Sequence, residues 1–341
     1  RNRRSRHLVR RVFRHGTSVH TRLRSQSCPR VAAAPHAHDR LRRDAGDMSR
    51  PPRPLPVELD GEFSTTQAAQ QGITRARLRA HDLSSPFHGA RRRRDVDAHA
   101  EAEAATDTGA YAQRRAQRRR VLNDMRAYAT VMPEESFFCG RTAAVAYDAW
   151  VNHPGDLEVA VFSPRRAPRA AGVRGRKVAP HLAATTTHEG LLLSTPASTW
   201  AMLARDVTPR ELIAIGDAFV QIPRDEYGRR HPDQALATIS DLRAAADAGP
   251  RPRSTANIGA ALDLIRVGSS SPLETDFRLD AEAAGLPTPE LDLEIRGPSG
   301  ELLGISEFVF RQYRVVVEVE GDHHRTERRQ WLRDIEKYHS Y

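Results

Sequence analysis

The chain has 341 residues, a formal net charge of +10 and a sequence pI near 10.3, with 39% hydrophobic and 28% charged residues. That length allows two or three domains with a sizeable core. Two cysteines, Cys28 and Cys139, exclude a disulfide framework and a zinc cluster, and no apolar run approaches the length of a membrane span. A reducing cytoplasm is the expected setting.

The basic excess is local. Residues 1–47 hold 13 Arg and 3 Asp, which accounts for the whole net charge; the remainder is balanced. The chain has only two lysines, Lys177 and Lys337. So strong an Arg and Ala bias reads as coding composition rather than selection for guanidinium chemistry. Met48 is the first methionine, and three readings of the preceding segment stay open: a disordered basic arm gripping phosphates, a targeting peptide, or sequence ahead of the true start. Residues 1–61 are accordingly expected to be a basic and Pro-rich disordered segment.

Residues 62–98 open with a capped short helix over 63–72 that ends at Gly72, and a second helix over 73–79 with Thr74 as cap. Helix, glycine turn, helix is the pattern whose second helix can enter the major groove. Arg75, Arg77 and Arg79 would then touch phosphates or base edges. This stretch resembles the winged-helix region that begins AbiEi-type antitoxins, with Gln67 where that family commonly has an acidic residue.

Residues 99–248 read as an α/β middle domain. The Ala-rich stretch 100–131 is free of Pro and predicts a helix carrying the Arg114–Arg120 charge run, whereas Arg91–Arg94 reads as a solvated helix face or loop. Residues 142–150 predict another helix. The block from Ser136 to Trp150 resembles one that follows the winged helix in the same antitoxin family, which has His near the place of Gly140. A strand is expected over 157–163, a basic loop over 164–177 and one or two strands over 178–193. Thr195 and Pro196 start a helix, and 211–220 continues helical. Ser194, Thr199 and Asp217 read as capping and surface residues.

Residues 249–267 read as a linker and an amphipathic helix, with 268–272 capping a helix over 273–284 that carries Glu274. Two apolar runs, 305–310 and 313–319, flank a polar step at Arg311-Gln312 and predict an antiparallel hairpin. Side chains alternate along a strand, so Val316, Glu318 and Glu320 share a face that Glu307 can reach from the preceding strand. A carboxylate within a valine run is solvated, paired, protonated or metal-bound. A half-buried strand with a wet polar face accounts for the pattern; so does a site for a hard divalent cation.

Ser271-Pro272-Leu273-Glu274-Thr275, then Glu307, then Glu318-Val319-Glu320-Gly321-Asp322-His323-His324, then Trp331-Leu332-Arg333-Asp334 occur in the order found in domains related to very-short-patch-repair endonucleases. Residues 268–341 thus resemble that branch of the restriction-endonuclease-like PD-(D/E)XK superfamily. Glu307 stands where the family usually has Asp, and Glu320 where Asp or Lys is commoner. The family continues past the helix in which this chain stops, so the C-terminal mixed sheet is expected to be incomplete.

The resemblance implies phosphodiester hydrolysis with Mg²⁺ or Mn²⁺, in DNA repair, restriction, or phage or toxin–antitoxin defence. Glu307 and Glu318 would ligate the metal, Glu320 would orient water or a second metal, and Glu274 would be an outer-shell or second-metal carboxylate. His323 would contact the scissile phosphate or act as general acid, and Trp331 and Asp334 would anchor the helix. DNA is the implied partner, with a partner toxin a further one. The alternative is a non-catalytic, DNA-binding antitoxin-type regulator with a degenerate nuclease domain. The expected architecture is α+β or α/β and multidomain: winged helix-turn-helix, α/β middle domain and restriction-endonuclease-like C-terminal domain.

Overall fold

A computed structural model describes residues 52–94, 109–251 and 255–319. These form a mixed α+β architecture with three sheets.

The first sheet is three-stranded, in the order β1-β3-β2, from β1 (Glu62–Ser64), β2 (Leu83–Ser84) and β3 (Ala90–Arg93), all antiparallel. Between β1 and β2 lies helix α1 (Thr65–Gln70). Ser64 and Gln67 close a reciprocal capping box at its start, and Gly72, at φ +70°, turns the chain away after it. Gln67, where the antitoxin family has an acid, is therefore the side chain that closes the box. The expected second helix over 73–79 is one 3-10 turn, Arg77–Arg79. Leu78 from that turn joins Leu59, Phe63, Ala68 and Leu83 in a small core. Three residues of the Arg91–Arg94 run, Arg91–Arg93, lie in a strand, Ala90–Arg93, whose alternation buries Arg92, which pairs with Asp124 at 3.0 Å.

The second sheet has the order β6-β5-β4-β8-β7. It comprises β4 (Ser136–Phe138), β5 (Leu157–Phe162), β6 (Val173–Val178), β7 (Thr185–His188) and β8 (Leu191–Ser194). β5 pairs with β6, and β4 with β8, in parallel; the other pairs are antiparallel. The expected basic loop thus contributes an edge strand, where Arg and Lys side chains reach solvent.

Helices α2 (Ala110–Ala129), α3 (Gly140–Ala146), α4 (Pro196–Leu203), α5 (Pro209–Val220), α6 (Ile239–Asp247) and α7 (Thr255–Leu264) surround this sheet. Thr195 caps α4 as expected, while capping boxes Thr208–Glu211 and Thr238–Asp241 open α5 and α6, the latter a helix not expected from the sequence. The main core gathers Phe138, Leu157, Val159 and Leu193 from one sheet face with Trp200, Leu212, Phe219, Leu242, Ile258 and Ile265 from the helices. α7, the expected amphipathic helix, contributes to this core through Ile258 and Ala261. The other sheet face carries a smaller cluster of Phe137, Cys139, Ala160, Val178 and Met202.

Ser194, Thr199 and Asp217 correct the surface assignment, since all three are fully buried. The hydroxyls of Ser194 and Thr199 bond each other at 2.7 Å. Asp217 accepts from the Arg266 amide, the Thr275 hydroxyl and the Arg278 guanidinium, each at 2.8 Å. Helix α8 (Pro272–Ala283), capped by Ser271, is thereby fastened to α5.

The third sheet, β11-β10-β9, is antiparallel: β9 (Glu290–Arg296), β10 (Leu302–Phe310) and β11 (Val315–Val317). β10 and β11 are the expected hairpin; β9 was not expected. A 3-10 turn at Arg311–Tyr313 and a left-handed Arg314 link the hairpin strands. Phe308 is buried edge-to-face against Phe277 of α8, with ring centroids 4.8 Å apart.

Candidate functional site: a carboxylate group between a helix cap and a hairpin

Glu274 is the third residue of α8 and is 4% exposed. Its carboxylate accepts from the Ser270 amide at 2.7 Å, the Ser270 hydroxyl at 2.6 Å and the Ser271 hydroxyl at 2.9 Å. Burial nevertheless pushes its pKa up, and the Glu318 charge adds to that rise against the serine hydrogen bonds. A carboxylate that feels a second carboxylate in a desolvated place gains from a nearby cation.

Glu307 sits mid-way along β10, half-buried, and its Oε2 accepts the Val319 amide at 2.6 Å just beyond β11. The hairpin pairs Phe308 with Val317 and Val309 with Val316. The same register carried one pair further sets Glu307 opposite Glu318. Directly opposed residues of an antiparallel pair share a face; the pairing itself ends at Phe308 and Val317, one step short of these two carboxylates.

Tyr111, in the first turn of α2, lies within electrostatic range of two of them. Its phenol pKa is raised first by burial and then by the Glu274 charge, with Glu307 adding. Tyr111 also packs edge-on against Trp150 at 4.7 Å, and the Arg114 guanidinium lies 4.5 Å from the Trp150 ring centre. Nothing in the sequence singled out Tyr111, because Glu274 and Glu307, whose charges act on it, lie more than 160 residues away in the chain. An aromatic residue within an Ala/Arg helix was the only signal.

Glu274, Glu307 and Glu318 are thus within electrostatic reach of one another or of a shared tyrosine. Glu320, His323, Trp331 and Asp334 lie outside the described residues. Among the described residues, no three His, Cys, Asp or Glu side chains converge as a metal-holding group. The donor set itself, oxygen-only and acidic, fits a hard divalent cation.

The three arginines chosen for DNA contact differ in their surroundings. Arg75 and Arg79 are exposed. Arg77 is bound to its own protein: it forks onto Asp82 at 2.8 and 2.6 Å and donates to the Arg53 carbonyl. Its side chain is 10% exposed. A guanidinium held this way braces the 3-10 turn, a role its spacing to Arg75 and Arg79 conceals.

Gly140, where the antitoxin block has His, opens α3 at φ +56°, and a Cβ there would overlap the Glu158 carboxylate. Glu158 is sealed in, accepting from the Arg141 amide at 2.7 Å and pairing with Arg176 at 2.6 Å. The adjacent Cys139 thiol is pushed up to about 12 by burial, then by Glu158, which makes it inert as a nucleophile.

Among the described residues, no helix is long and apolar enough to cross a membrane. No protein-family model matches the chain, and no curated protein matches it.

Proposed function

We propose that the chain is a metal-dependent nuclease acting on DNA. The carrying observation is the Val319 amide bond to Glu307, which ties Glu307 to the chain leaving β11 next to Glu318, together with the influence of Glu318 on Glu274. Mg²⁺ or Mn²⁺, held by Glu307 and Glu318, would supply stabilisation of charge on the phosphate and a more acidic bound water. The protein's own groups position the rest. The Val319 amide orients Glu307, and the Ser270–Ser271 turn orients Glu274. Tyr111 lies within electrostatic range of Glu274 and Glu307, and burial with their charges holds its phenol in the neutral form to higher pH. The C-terminal unit is acidic overall, so grip on DNA falls to arginines outside it, with Arg75 and Arg79 exposed for it.

Plasmid cleavage by the full chain with Mg²⁺ or Mn²⁺, beside Glu318→Ala, tests this reading. Cleavage that needs the metal and disappears in the variant supports it. A folded protein that shifts DNA in a gel but never cuts it sinks the nuclease reading in favour of a non-catalytic DNA-binding regulator.

A further inference from the structure

β6 is an edge strand of the second sheet, and the chain from Pro164 to Gly172 folds back over it. Pro168 is buried against Gly175, where a Cβ would overlap the Pro168 carbonyl. Both ends of the fold-back are tied. The Ser163 amide donates to the Val178 carbonyl at 2.9 Å, and the Val173 amide to the Ala170 carbonyl at 3.2 Å. Gly172, at φ +74°, lies against the ring of Phe87, which belongs to the main core. The segment is therefore a fixed shelf on the sheet.

Residues 164–178 hold six cations and no Asp or Glu. Three carboxylates from other elements pair with them. Glu135 meets Arg165; Glu158 meets Arg176 at 2.6 Å and Arg174 at 3.5 Å; Asp206 meets Arg176 at 2.9 Å and is shared with Arg205. Glu134 and Asp156, which precede β4 and β5, are exposed and pair with none of the six. Arg166, Arg169 and Lys177 are exposed and form no ion pair among the described residues. Alternation puts Lys177 on the face of Gly175 that Pro168 covers, so these three cations gather about that proline. Edge protection accounts for cations on β6 itself. Arg166 and Arg169 stand on the covering segment, where there is no edge to protect.

We propose that this shelf is the surface that holds the phosphate backbone of DNA, without reading its sequence. The proposal rests on the reading of the chain as a protein acting on DNA and names where the duplex is gripped. Arginine forks and a lysine point charge suit phosphate oxygens. None of the exposed large hydrophobic side chains lies in residues 164–178, so the shelf offers neither the apolar anchor of a membrane-surface segment nor the aromatic centre of a protein interface. Its contact is electrostatic and independent of sequence.

Fluorescence anisotropy of the full chain on two labelled duplexes of unrelated sequence, in EDTA so that no cleavage intervenes, tests this over a series of salt concentrations. Each phosphate contact contributes about 0.9 to the slope of log affinity against log salt. The triple variant Arg166→Gln, Arg169→Gln, Lys177→Gln is expected to lower that slope by about 2.7 on both duplexes, and Lys177→Gln alone by about 0.9. The three side chains are exposed, so circular dichroism and melting should match wild type. Absence of wild-type binding overturns the proposal, and so does an unchanged slope in the folded variants. A loss confined to one duplex overturns the backbone-only contact. Vesicles of phosphatidylserine and phosphatidylcholine supply the remaining arm: lipid binding that the triple variant loses while its DNA slope persists assigns the shelf to a membrane and overturns the proposal. Plasmid cleavage with metal is read separately. Cleavage with an unchanged slope removes the shelf and keeps the nuclease, whereas a lowered slope with no cleavage by wild type keeps the shelf and removes the nuclease.

Discussion

Arg278 donates to Asp217 at 2.8 Å, with the two side chains 0% and 1% exposed. This pair, with the Thr275 hydroxyl on the same carboxylate, locks α8 against α5 and so fixes the helix that presents Glu274. Burial alone raises the pKa of Asp217, and Arg278 opposes that rise. Removing one partner leaves the other charge stranded in the core. Arg278→Ala is expected to cost about 3–5 kcal/mol of stability in denaturant titration. A loss below about 1 kcal/mol would show that water reaches Asp217.

Glu274 gives a pH signature. Its folded pKa is raised above the ordinary value of 4.5, so between 4.5 and the raised value the folded state holds more protons than the unfolded state. Stability from this group is then lost as pH rises through that window. Glu274→Gln removes the titration, so its stability should fall less steeply than wild type from pH 4.5 upward. Thermal melts across that range, with both proteins in the same buffers, give the two slopes. Identical slopes would show that Glu274 titrates normally.

Gly140 is expected to resist substitution. Gly140→Ala meets both a positive φ and the Glu158 carboxylate, and should destabilise by at least about 2 kcal/mol. Gly190→Ala, at φ +77° with open space around it, supplies the control for φ alone. Equal losses at the two positions would remove the steric part of the explanation.

Thr208→Ala deletes the capping box of α5, where the Thr208 hydroxyl accepts the Glu211 amide at 3.2 Å. The expected loss is about 1 kcal/mol, read from the urea midpoint.

The exposed arginines separate grip from bracing. Arg75→Ala with Arg79→Ala should weaken DNA binding and lower the salt slope by about 2 if each meets a phosphate. Arg77→Ala should lower the melting temperature, because Asp82 loses its fork. Gel-shift titrations over a series of salt concentrations, beside thermal melts, keep the two effects apart.

Local chemistry was readable in the chain itself. Thr195-Pro196 and the 268–272 segment marked the starts of α4 and α8, since a cap depends on residues only three apart, whereas the boxes Thr208–Glu211 and Thr238–Asp241 that open α5 and α6 were not singled out. The β10–β11 hairpin followed from two apolar runs flanking the polar step at Arg311-Gln312. What tertiary structure decided were matters set by distant neighbours. Leu78 needed only one 3-10 turn to reach its small core, so the second helix is absent. Arg92 and Asp217 are inside because Asp124 and Arg278 meet them there, 32 and 61 positions along the chain. Tyr111 joined the carboxylates for the same reason: burial and charge depend on what packs close in space, which residue spacing does not encode.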